Sequence, residues 1–148
     1  MPQSLAKILV HLIFSTKHRE PTIPKEIRPQ LHAYIGGILA NLHCPSLQTG
    51  GTADHVHTLL SLARTHAVAD ITEEIKKSSS KWMKEQGIAG FFWQGGYGAF
   101  SIGESQVSAL TRYIAQQEEH HRHVGFQEEF RRILERYGVA YDERYVWD

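Results

Sequence analysis

Pro45-Ser46-Leu47-Gln48-Thr49-Gly50-Gly51-Thr52-Ala53-Asp54-His55-Val56-His57-Thr58-Leu59-Leu60-Ser61-Leu62 is the stretch on which the fold turns. Two segments with strand character, Pro45–Thr49 and His55–Leu62, flank Gly50–Asp54, a five-residue glycine-bearing loop, which is the pattern of a β-hairpin. Alternate residues of a strand leave opposite faces, so Val56 points into the core while His55 and His57 share the other face. Two imidazoles side by side form a chelate for one ion. They also suit a half-exposed strand that happens to carry histidines, and strand geometry alone leaves both readings open.

Upstream of the hairpin, Leu5–Ser15 is rich in Ile, Leu, Val and Phe and reads as a central strand, followed by a basic turn at Lys17-His18-Arg19. Pro24 can open a helix, and Ile27, Leu31, Tyr34, Ile35, Ile38, Leu39 and Leu42 recur at helical spacing to about Leu42. Beyond the hairpin, Val68–Gln86 reads as a second helix ended by Gly87, with Ile71, Ile75 and Trp82 inward. Short extended pieces at 91–93 and 97–102 follow, then a long helix from Glu104 to about His123, a short amphipathic helix at 127–137 and an aromatic tail. Strand, helix, strand, strand, helix, strand is the order of a ferredoxin-like split βαβ sandwich. It is an α/β (α+β) fold with an antiparallel sheet and helices on one face, expected here as one domain over 1–148. The histidines then sit on a central strand, and their face is expected to be a flat platform of the kind that binds unpaired bases.

Composition removes several alternatives. At 148 residues the chain is too short for the barrel hydrolases that also use a His-x-His pair. Hydrophobic residues at 41% and charged residues at 22% are those of a soluble globular domain. The longest apolar run, Ile8–Phe14, is interrupted by His11 and too short for a bilayer, and no signal peptide is evident, so a cytoplasmic location is expected. The single Cys44 forms neither an internal disulfide nor a thiolate cluster, so any metal must be held by histidine, carboxylate or amide. Lys and Arg balance Asp and Glu at 16 each, but residues 1–84 carry ten basic against six acidic side chains. That asymmetry suits phosphate binding or an ordinary solvated face.

A second element far along the chain bears on the histidines: Tyr113-Ile114-Ala115-Gln116-Gln117 puts a tyrosine and an amide about 6 Å apart on one helix face. Together with Asp54-His55-Val56-His57, Lys76-Lys77-Ser78-Ser79-Ser80, the run Phe92-Trp93-Gln94-Gly95-Gly96-Tyr97-Gly98-Ala99-Phe100-Ser101, and Glu118-Glu119-His120-His121, it resembles the small single-tyrosine HUH transposases. These are the insertion-sequence TnpA type, related to the REP-associated tyrosine transposases. The resemblance runs from the first strand to His123, and it is specific because the motifs come in order within a short chain.

The resemblance implies a ferredoxin-like fold and a homodimer whose tyrosine helix docks on the partner's histidine strand, so that each site assembles in trans. It implies a single-stranded DNA substrate with a hairpin near each end, met at the nucleoid. It makes His55, His57 and Gln117 ligands of a divalent metal ion, Mg2+ or Mn2+, and Tyr113 the nucleophile that forms a 5′-phosphotyrosine and frees a 3′-hydroxyl without ATP. Residue chemistry agrees. Two imidazoles and an amide oxygen leave open positions on an ion for a phosphate oxygen. A phenol with its ordinary pKa near 10 is only about one part in a thousand phenolate at pH 7, so a neighbouring cation helps it. Asp54 is placed to orient an imidazole or simply to make the turn. Lys76, Lys77, Lys81 and Lys84 at helical spacing, with Arg64, are candidate DNA-backbone contacts or a solvated basic face. Trp93 and Tyr97 suit base stacking or hairpin packing, and His120, His121 and His123 suit a second metal patch or a polar helix end. Two other functions are consistent with the same residues: a domesticated nucleic-acid-binding relative that moves nothing, and a metal-dependent hydrolase whose nucleophile is water.

Overall fold

A computed structural model describes residues 1–148. Strand β1 (Leu9–Ser15), helix α1 (Arg28–Asn41), strands β2 (Ser46–Gly51) and β3 (His55–Ser61), helix α2 (Val68–Glu85) and strand β4 (Gly98–Ile102) follow one another. They form one antiparallel sheet in the order β2-β3-β1-β4, the ferredoxin-like arrangement expected from the hairpin. The hairpin is tighter than its sequence suggests. β2 continues through Gly51, and only Thr52–Asp54 turn.

β1 is central and buried along its whole length, which explains its apolar run. Val10, Leu12 and Phe14, with Val56 and Leu60 of β3, face Leu31, Ile35 and Leu39 of α1 and Ile71, Ile75 and Met83 of α2. Trp93 belongs to this core. Its ring meets Phe14 and Phe91 edge-on at 4.8 and 4.7 Å, and its indole N–H donates to Ser79 Oγ at 2.9 Å. Base stacking by Trp93 is thereby excluded. α1 begins four residues after Pro24, which instead opens the turn that precedes it.

The second face of the sheet is not the open platform expected. After β4 come α3 (Val107–Ala115), α4 (Gln117–His120) and α5 (Phe126–Arg136), and these cover it. Leu9 and Leu59 pack on Ile114 of α3, while Ile13 and Phe100 pack on Phe126, Phe130, Ile133 and Leu134 of α5. Both helices seat against a strand glycine. A Cβ on Gly50 would lie 2.3 Å from the Ile114 carbonyl oxygen, and one on Gly98 would lie 2.5 Å from the Phe130 ring. Only glycine allows approaches this close.

The helix expected to run unbroken from Glu104 to His123 is interrupted at Gln116 (φ −103°, ψ 23°). No proline or glycine stands there. The side-chain amide of Gln117 donates to the Tyr113 carbonyl at 3.4 Å, the acceptor that a continuous helix would give to the backbone N–H of residue 117. No helix is long and apolar enough to cross a membrane.

Candidate active site

His55 and His57 leave β3 on the covered face and are fully buried. α3 and α4 bring Tyr113 and Gln117 over them from the β2 side, and α5 brings Glu129 from the β4 side. His55 Nδ1 lies 2.7 Å from Asp54 Oδ1, and Thr52 Oγ1 lies 3.0 Å from both groups. Asp54 therefore orients an imidazole as well as making the turn. With Nδ1–H given to Asp54, Nε2 of His55 faces Gln117 Oε1 at 3.0 Å. His57 Nδ1 meets His11 Nε2 at 2.8 Å, and its Nε2 lies 3.0 Å from Glu129 Oε1.

Glu129 is not among the site residues expected from the sequence, yet it is the hub. Its Oε1 is also 3.7 Å from His55 Nε2 and 3.2 Å from His121 Nε2, and its Oε2 is 3.2 Å from His120 Nε2 and accepts the Tyr113 hydroxyl. Glu129 is only 2% exposed. Burial alone would raise its pKa, but the His121 and His57 imidazoles that crowd it, with His55 beyond, outweigh burial and hold the carboxyl well below the usual range. Burial lowers His57 to about 4 despite the pull of Glu129, so its ring is neutral at pH 7 and free to ligate. Burial likewise holds His11 well below its ordinary value, and the neighbouring His57 adds to this because two adjacent imidazoles resist a second proton. For Tyr113 both burial and the Glu129 charge push the phenol up, so phenolate is suppressed in this arrangement.

Donors of His55, His57, His121 and Glu129 lie within 4.8 Å of one another. Two observations fit a metal ion. His121 Nε2 is buried without a hydrogen-bond partner. The Nε2 lone pair of His55, the Gln117 carbonyl oxygen and the Glu129 oxygen all turn acceptors toward one space, which a divalent cation reconciles. His120 and His121 thus belong to this same site rather than to a separate patch, while His123 is exposed.

The lysines of α2 lie on the opposite side of the molecule's core. Lys76 Nζ donates to the Gln94 and Gly96 carbonyls at 2.8 and 2.6 Å, which commits it to holding the 94–96 loop. Lys77, Lys81 and Lys84 line the open groove beside it with Tyr97, whereas Arg64 sits in the turn before α2, outside that groove.

Residues 4–117 match the family model described as Transposase IS200 like. The chain belongs to this family. The ISDra2 transposase TnpA of Deinococcus radiodurans is 26% identical over 114 residues, covering 72% of this chain and 81% of that protein. The crystal structure of a candidate transposase from Deinococcus radiodurans R1 superposes with a TM-score of 0.61 at 23% identity, over 79% of this chain and 98% of that one. A REP-associated tyrosine transposase, solved bound to a REP hairpin, superposes with a TM-score of 0.61 at 15% identity, over 84% and 74%. At these identities the two structures establish the fold. The IS200-like match ends at Gln117, so His121 and Glu129 of this IS200-like transposase come from beyond the matched segment.

Proposed function

We propose that this transposase cuts and rejoins single-stranded DNA through a covalent bond between Tyr113 and a 5′-phosphate, on strands that carry a hairpin near the cleavage point. The observation that carries the reading is convergence. The Tyr113 hydroxyl meets the same carboxylate that His57 touches, and Gln117, four residues on, touches His55. A hydrolase using water would leave Tyr113 without a role.

His55, His57 and Gln117 would hold the divalent ion, joined by His121 and Glu129. Three imidazoles in the set favour Mn2+ over Mg2+. Such an ion supplies Lewis-acid polarisation of a non-bridging phosphate oxygen. The protein's own groups do the rest. Glu129 Oε2, which the phenol already meets, takes the phenolic proton as Tyr113 Oη bonds to phosphorus, and the bond to the 3′-oxygen breaks, that oxygen taking up a proton from solvent to become the 3′-hydroxyl. Asp54 and His11 hold the two imidazoles in register. Attack by another 3′-hydroxyl reverses the step and joins a new strand, which needs no ATP. The groove lined by Lys77, Lys81 and Lys84 suits the hairpin backbone.

One chain carries tyrosine, histidines and amide together, with the Tyr113 and His57 rings 5.9 Å apart. The geometry therefore favours a site complete in cis, in place of tyrosine-helix exchange within a homodimer. The test uses single-stranded DNA from the gene's own flanks and denaturing electrophoresis. A protein–DNA adduct supports the reading, cleavage without adduct indicates hydrolysis, and no cleavage indicates a binding protein. Mixing Tyr113→Phe with the His55→Ala, His57→Ala double variant is expected to restore nothing. Recovery of cleavage would establish assembly in trans.

A further inference from the structure

Between α3 and α5 a cleft of about 500 Å³ runs over β1 and β4 to the Tyr113 hydroxyl. It is the larger of the two cavities that Tyr113 lines. Leu110 of α3 and Ile133 of α5 give its walls an apolar part. One side is the Tyr137 ring, held by a hydrogen bond from its hydroxyl to the Ser101 carbonyl at 3.1 Å and by contact with Phe100 at 4.9 Å between ring centres. Tyr137 is 37% exposed as a residue and lines the cleft, so its anchored ring forms a plate with an open side.

The mouth is cationic. Arg132 and Arg136 both line it. Arg132 is bridged to Glu128 at 2.6 Å, whereas Arg136 takes part in none of the chain's ion pairs. An unpaired guanidinium beside an aromatic plate, on a path that ends at a nucleophile for phosphorus, matches a nucleotide: phosphate on the arginine, base on the ring. The volume is that of a small-ligand site, and a duplex cannot enter it.

We propose that the α3–α5 cleft is the slot for one unpaired nucleotide flanking the scissile phosphate, with its base against Tyr137 and Leu110 and its backbone on Arg136. The proposal rests on the nuclease reading above, and it adds a substrate subsite half of which is built by α5, beyond the segment matched to the family. It also gives a physical reason for single-strand preference, since the base must leave any stack before its phosphate reaches Tyr113.

The test separates the slot from the chemistry. The 148-residue chain carrying Tyr113→Phe, in EDTA, is titrated with fluorescent dT12 by anisotropy, with and without Arg136→Ala plus Tyr137→Ala. A Lys77→Ala plus Lys81→Ala pair serves as the comparison on the α2 groove. The cleft pair is expected to weaken dT12 binding about tenfold, the loss of one stacked base. Ultraviolet crosslinking of 4-thiothymidine-substituted dT12 is expected to label the peptide containing Tyr137. Unchanged affinity in a folded cleft variant, or crosslinks confined to α2 and the 92–97 loop, would overturn the proposal. Should the pair fail to fold, the exposed single change Arg136→Glu reads the same contact and is expected to weaken binding at least as much. The nuclease reading fails separately, if wild-type protein with Mn2+ forms no adduct on flanking single-stranded DNA while the slot still binds dT12.

Discussion

Glu129 concentrates the chemistry of the site at the scale of a single side chain. It is a buried carboxylate that four imidazoles and a phenol approach, and it stands between the suppressed phenolate of Tyr113 and the neutral ring of His57. A divalent ion in this space would offset the negative charge that helps hold the phenol up, so in the proposed reaction ion binding and activation of Tyr113 would be linked through one residue. Glu129→Gln keeps the shape and removes the charge. It is expected to weaken Mn2+ binding by at least tenfold in a calorimetric titration, with His121→Ala close behind. Binding as tight as wild type in both variants would take these two residues out of the donor set. A trace of Glu129 does exist in the sequence. Position 129 falls on the same helix face as Phe126, Phe130 and Ile133, and a lone carboxylate on an apolar stripe signals a partner. His121 does stand out in the sequence, with His120 and His123, as a possible metal patch, but nothing in the sequence joins that patch to His55 and His57.

At the scale of elements, the hairpin and the order of strands were legible because period-2 alternation and a glycine loop depend only on neighbouring residues. His55, His57, Tyr113 and Gln117 stand out in the sequence by spacing and by the family resemblance, and in the fold they lie together within one chain, where the resemblance implied a meeting across two. The break at Gln116 was not legible, since it arises when Gln117 turns inward and bonds to the Tyr113 carbonyl, an event that needs the sheet beneath it. The cover of the second face was missed for a related reason. The pattern of α5 declares an apolar stripe without saying which surface buries it. Gly50 ties these elements together, because α3 rests on it. Gly50→Ala is expected to push α3 outward by the width of the added methyl group, displacing Tyr113 and Gln117. Adduct formation should then fall by about a hundredfold, as misplacement of about 1 Å does. Melting temperature should fall only modestly, since the α1–α2 core is untouched. Equal activity in a folded Gly50→Ala protein would mean that α3 is not held by this contact.

For the whole molecule, the polar site is buried between two apolar clusters, so its protonation and its folding are linked. His57 is lowered from 6.5 to about 4, His11 lies well below 6.5, and Glu129 lies well below its ordinary 4.5. Each group binds its proton more readily when unfolded. Stability is therefore complete above about pH 6.5 and falls on acidification, first through the histidines between about 6.5 and 4, then through Glu129 below about 4.5. His57 alone contributes no more than about 3 kcal/mol to this loss, from 1.36 kcal/mol per pKa unit. Urea unfolding in EDTA should show a midpoint that drops between pH 7 and pH 4.5, and His57→Asn should flatten the drop. A midpoint independent of pH over that range would mean that His57 is not buried as a neutral ring. A covalent bond between Tyr113 and DNA, the step on which the proposed reaction depends, is read directly by mass spectrometry of the nuclease-trimmed, protease-digested reaction. The expected product is a nucleotide phosphate attached to the peptide containing Tyr113, absent in Tyr113→Phe, whereas cleaved DNA with an unmodified Tyr113 peptide, or an adduct on another residue, would rule the reaction out.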